Sequence, residues 1–92
     1  MKKKPKNIPE DSQLLEGIGA SSWFHISYEK EKYKIMRFSF EGTLECSRLF
    51  IPQEQGFDIK KSYKFTYLSH CKSCTITQNN RTFHFKTTEY ED

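Results

Sequence analysis

The chain has 92 residues and a formal charge of +3, and no apolar run approaches the length that spans a bilayer, so it allows one small domain and excludes a membrane helix. Aliphatic residues are scarce, with no Val and one Ala, so eight Phe, five Tyr and one Trp must build most of the core; each ring can bury roughly 150–250 Å². Lys2, Lys3, Lys4 and Lys6 carry the excess charge; without them 11 basic residues face 12 acidic ones, a net of −1, which speaks against a body shaped to hold a phosphate backbone.

Residues 1–8 read as a disordered basic arm, polar and punctuated by proline, that could track phosphate electrostatically. Residues 9–88 read as one β domain and 89–92 as an acidic tail. From Pro9 to Glu16 the pattern predicts a short helical turn, capped by Asp11 or Ser12 and stopped by Gly17, with Leu14, Leu15 and Ile18 covering one end of a sheet.

Six strands are predicted after that turn. The first, Ser22–Glu29, puts Phe24, Ile26 and Tyr28 on one face and Trp23, His25 and Ser27 on the other, and a charged turn at Glu29–Lys32 ends it. The second, Tyr33–Phe40, changes phase between Ile35 and Met36, which predicts a bulge there or burial of both faces. Glu41-Gly42 is a hairpin turn, and Thr43–Ile51 is the third strand. A connector, 53–61, is tethered by Phe57 and Ile59. The fourth strand, Ser62–Leu68, carries Tyr63, Phe65 and Tyr67 on one face. The fifth is Cys74–Gln78. Asn79-Asn80 then suits a type I′ turn into the sixth, Arg81–Thr87, with Phe83 and Phe85 inward. The predicted fold is therefore mainly β: a small six-stranded antiparallel barrel or β-roll with a short N-terminal helical turn. Closure of such a sheet removes its edges, and six strands leave little room for a small ligand.

The chemistry-bearing residues are few. His70-Cys71-Lys72-Ser73-Cys74 sits at the corner between the fourth and fifth strands. A Cys-x-x-Cys at a hairpin can aim two thiolates at zinc, with Cys46 and one of His25, His70 or His84, His70 first among them, completing a tetrahedron. The pair also reads as a thiol couple, although strand-like flanks supply no helix N-terminus to lower a thiol pKa. Ordinary reduced cysteines are the plainer reading: three is an odd number, and no apolar segment follows the basic start, so a cytoplasmic chain with free thiols and no cofactor is expected. His25 and His84 lie on strands with no spacing that pairs them, and no nucleophile elbow, phosphate loop or zinc-protease helix is present, so no enzyme is expected. Tyr63 and Tyr67, interleaved with lysine, could stack single-stranded nucleic acid. The same alternation is what a half-buried strand requires. Arg37, Arg48 and Arg81 are dispersed along the chain.

Two stretches carry a resemblance: Ile8-Pro9-Glu10-Asp11 through Gly17-Ile18-Gly19-Ala20-Ser21-Ser22-Trp23-Phe24, and Tyr63 through Thr75 across the Cys-x-x-Cys corner. Together they resemble a family of short bacterial proteins of unknown function, met mainly in the Bacteroidota. The resemblance implies no activity and transfers no site residue. The expectation is a non-catalytic binding module that contacts a larger protein or ribonucleoprotein, of the accessory or inhibitor kind carried by phages and mobile elements, with a nuclease as one target. Lys2, Lys3, Lys4, Lys6, Tyr63, Tyr67 and Trp23 are its candidate contact residues. A zinc- or thiol-dependent protein and a single-strand nucleic-acid binder are the alternatives.

Overall fold

The computed structural model describes residues 4–17, 20–68 and 72–91, with side chains at 4–15, 22–66 and 72–88. Seven strands follow in order: β1 (Gln13–Gly17), β2 (Ala20–Glu29), β3 (Lys32–Phe38), β4 (Leu44–Pro52), β5 (Lys64–Leu68), β6 (Ser73–Gln78) and β7 (Arg81–Glu91). They form one antiparallel sheet in the order β1-β2-β3-β4-β7-β6-β5, curled into a nearly closed barrel. All neighbours are antiparallel and the strand number is odd, so the two edge strands, β1 and β5, run in the same direction. Their Cα atoms come within 8 Å of each other, yet no ladder joins them among the described residues.

The alternation within each strand builds the core. Phe24, Ile26, Tyr33, Ile35, Phe50, Phe65, Cys74, Ile76, Phe83 and Phe85 point inward with Leu15 and exclude water together. The predicted reliance on aromatic rings is met. Phe24 stacks on Phe65 at 4.3 Å between centroids, and Tyr33 meets Phe85 edge-on at 5.4 Å, both favoured aromatic geometries.

The expected N-terminal helical turn does not form. Residues 13–17 pair with β2 instead, from Gln13 opposite Phe24 to Gly17 opposite Ala20. Leu15 enters the barrel core while its neighbour Leu14 packs on the outer face, the period of a strand and not of a helix. A helix of one or two turns pays its nucleation with few bonds in return, whereas the β2 edge offers a ready ladder. The strand count among the described residues is thus seven, one more than the pattern predicted. Ile18 lies outside the described residues.

Residues 4–12 lie over the outer face of β1–β3, where the sequence led us to expect disorder up to residue 8. Ile8 is buried against Trp23 and Phe38, with Leu14 and Met36 beside them. Asn7 donates its side-chain amide to the Gly42 carbonyl at 3.0 Å. Gly42 has φ +96°, and a Cβ there would meet the Asn7 side chain and stand 2.9 Å from Pro5, so glycine is required on two counts. This second cluster explains the phase change in β3. Tyr33 and Ile35 face the barrel, while Met36 and Phe38 face the outer cluster. The strand is buried on both faces; its register is unbroken from Tyr33 to Arg37, so no bulge falls at Ile35-Met36, and the shift beyond Arg37 leaves Glu45 of β4 as the extra residue.

Asn79 and Asn80, with φ 52° and 63°, make the predicted turn. The β2–β3 turn uses the same left-handed pair at Lys30 (48°) and Glu31 (69°), residues less suited to it. At the other end, β7 continues to Glu91, so most of the expected acidic tail is strand.

Candidate interaction surfaces

The Cys-x-x-Cys corner divides in two. His70 and Cys71 lie outside the described residues. Cys74 lies on β6 opposite Phe85, 1% exposed, and burial pushes its thiol pKa up to about 12. A thiol so placed is protonated at neutral pH and packs as a small apolar group. Cys46, expected reduced, is disulfide-bonded. Neither described cysteine offers a thiolate, and no group of three or more His, Cys, Asp or Glu with metal-holding geometry occurs among the described residues.

The histidines are not brought together. His25 is on β2 and His84 on β7, three ladder steps apart in the sheet. Each has its own carboxylate. Asp11 stands 2.9 Å from His25 Nδ1, poorly aligned for a hydrogen bond. Glu54 accepts from the His84 backbone N–H at 3.2 Å and lies 3.0 Å from its Nδ1. The hydrogen bond from the His84 side chain, set against slight desolvation, holds the Glu54 carboxyl below its ordinary value. With Gln53 N–H donating to the His84 carbonyl at 2.7 Å, this pair straps the connector after β4 onto β7.

Of the proposed contact residues, Trp23 is 7% exposed and belongs to the outer cluster. Lys4 sits 5.9 Å from the centre of its ring and donates to the Glu10 carbonyl, which ties the start of the chain onto the body. Lys6 is exposed. Lys2 and Lys3 lie outside the described residues. Tyr63 is half-buried: its ring packs 5.4 Å from Phe57 and 6.4 Å from Phe24. Burial, with the Asp11 charge adding to it, pushes its phenol up to about 12. The backbone of Tyr67 pairs with Cys74; its side chain is not among those described. A stacking platform built on Tyr63 would have to draw that ring out of its packing.

Three features escaped the sequence. Gln78 is 4% exposed and clamps the connector: its Nε2 donates to the Asp58 carbonyl at 2.7 Å and its Oε1 accepts from the Asp58 N–H at 3.0 Å. Arg37 and Arg48 are diagonal neighbours on β3 and β4, since Ile35 pairs with Arg48 and Arg37 with Cys46. With Glu45 and Cys46 they line a cleft of about 640 Å³ at one mouth of the barrel. Arg37 Nε donates to Ser22 Oγ at 3.1 Å and lies 3.7 Å from Glu45. Diagonal pairing across a ladder leaves no trace in residue spacing, which is why these arginines read as dispersed.

At the other mouth, the β2–β3 hairpin and residues 51–57 enclose a cleft of about 410 Å³. Tyr28 and Ile51 stand on it 53% and 41% exposed, Pro52 and Phe57 line it, and Glu31 and Glu54 sit at its rim. Phe57 is held from behind by the rings of Tyr33, Tyr63, Phe83 and Phe85, with centroids 5.4–5.8 Å away. The cleft therefore has a rigid aromatic back and an exposed apolar lip.

A family model described as the DUF6695 C-terminal domain matches residues 12–88. The chain belongs to that family. The match runs from Ser12, the residue before β1, to Thr88 within β7, so the DUF6695 C-terminal domain coincides with the barrel and leaves the segment over its outer face largely outside. The expected membership of a family of unknown function is met at that level. No curated protein and no solved structure matches the chain. No helix among the described residues is long and apolar enough to cross a membrane.

Proposed function

We propose that this DUF6695 domain is a non-catalytic binding module that acts by macromolecular contact through the Tyr28–Ile51 cleft. One observation carries the reading. The two exposed apolar side chains Tyr28 and Ile51 line the same concave site, and that site is backed by packed rings that need no ordering on binding. Preorganised aromatic anchors in a pocket are the usual centres of binding energy in protein interfaces. The rim carboxylates Glu31 and Glu54 suit a partner with a basic surface, such as a protein that itself handles nucleic acid, and they repel a phosphate backbone.

The test is a native pull-down followed by affinity measurement on the partner recovered. Tyr28→Ala and Ile51→Asp should each weaken binding at least tenfold and leave the melting temperature within a few degrees. Equal recovery of the partner by the double variant would remove the reading.

A further inference from the structure

We propose that the seam between β1 and β5 takes up an extended segment of another polypeptide as an eighth strand, antiparallel to both edges, with apolar side chains inward and acidic or polar ones outward. This goes beyond the cleft at Tyr28 and Ile51, on a different surface.

Parity sets the direction. Six antiparallel ladders join seven strands, so β1 and β5 run the same way and cannot close antiparallel against each other. One chain running opposite to both would engage both edges at once. It would complete an eight-stranded antiparallel cylinder, the size at which side chains just fill the interior. Such closure also removes two unpaired edges.

A strand between two neighbours requires them about 9.6 Å apart, twice the usual spacing. The edges come closer than that, within 8 Å where they approach, so the seam must open to admit one. Gln13 and Leu14 of β1 and Lys64, Phe65 and Thr66 of β5 line one cleft of about 300 Å³ together with Phe24 and Tyr63. The edge of a second folded sheet would pair with one wall and be blocked by the other. A single extended chain reaches both.

The walls choose the side chains. Inward positions of the incoming strand land on Phe24, Phe65 and Tyr63, which are apolar rings. Outward positions lie beside Lys64, and Lys60 and Lys61, exposed, precede it in the chain. Among the described side chains, the Asp11 carboxylate stands against His25. Lysines on an open edge discourage pairing with another folded sheet, but they attract an acidic strand.

The test uses the full chain, isotope-labelled for NMR, and a panel of capped eight-residue peptides alternating valine with glutamate or threonine. Alternate residues of an inserted strand address opposite edges. Two N-methylated versions of the best binder, one blocking odd and one blocking even amides, therefore report on the two edges separately. The expected result is shifted amides in both Gln13–Gly17 and Lys64–Leu68, at least tenfold weaker binding by either methylated peptide, and at least threefold weaker binding of the glutamate peptide to Lys64→Glu at unchanged melting temperature. Full affinity for either methylated peptide, shifts on one edge alone, or no binding at millimolar concentration would overturn the proposal. Shifts confined to Tyr28 and Ile51 would overturn it too, while leaving the contact reading of the cleft intact.

Discussion

At the scale of single residues, burial decides what the reactive groups can do. Cys74 and Tyr63 belong to types that do chemistry elsewhere, and both sit among rings that suppress their ionised forms. The unfolded chain releases these protons near the ordinary values of 9.0 and 10.0, while the folded chain holds them to about 12. A raised folded pKa means that the stabilisation is complete below pH 9 and is lost as pH climbs through 12. Stability to denaturant should therefore fall steeply between those limits. Replacing Cys74 by Ala should lower stability at pH 7 through the lost packing, yet flatten the alkaline slope. A slope unchanged in both Cys74→Ala and Tyr63→Phe would show that other groups carry it. Cys74 also shows what the sequence could not disclose: Cys-x-x-Cys spacing is visible, but which cysteine turns into a core is set by strand phase and by the ladder opposite.

At the scale of elements, the connector between β4 and β5 has no regular structure of its own and is held by side chains from elsewhere. Phe57 was legible as an anchor, because an isolated aromatic in a polar stretch has few other uses. Gln78 was not, since a glutamine at the end of a strand reads as surface. It satisfies the backbone of Asp58 at both donor and acceptor, and its amide also lies 3.3 Å from the Lys61 carbonyl. Leaving such buried backbone groups unpaired costs about 1–3 kcal/mol. Gln78→Met, close in volume, should thus lose about 2 kcal/mol and roughly 10 °C in melting temperature. Gln78→Glu, close in shape but without the donor, should do no better. Retention of full stability by either variant would mean the clamp is incidental. The same scale explains β1. Its two leucines fit a helix turn and a strand equally well in five residues, and the available β2 edge decided between them.

At the scale of the molecule, the odd strand count leaves a seam that distinguishes this barrel from a closed one. Edge strands paired on one side exchange their amides sooner than strands paired on both. Hydrogen exchange should find the amides of β1 and β5 opening well before those of β3, β4 and β7, whose ladders lie inside the sheet. Equal protection across all seven strands would mean that β1 and β5 are sealed in solution, which would also weigh against strand addition there.

The sequence by itself determined the β class, the aromatic core, the inward phase of Phe24, Ile26, Phe83 and Phe85, and the Asn79-Asn80 turn, because these follow from a two-residue period and local backbone preference. Tertiary structure alone decided that β1 is a strand, that Trp23 is core, that Arg37 and Arg48 line one cleft and that Gln78 grips the connector. Each of these depends on which strand lies beside which, and pairing between residues far apart in the chain is governed by the closing of the sheet, which no local pattern encodes.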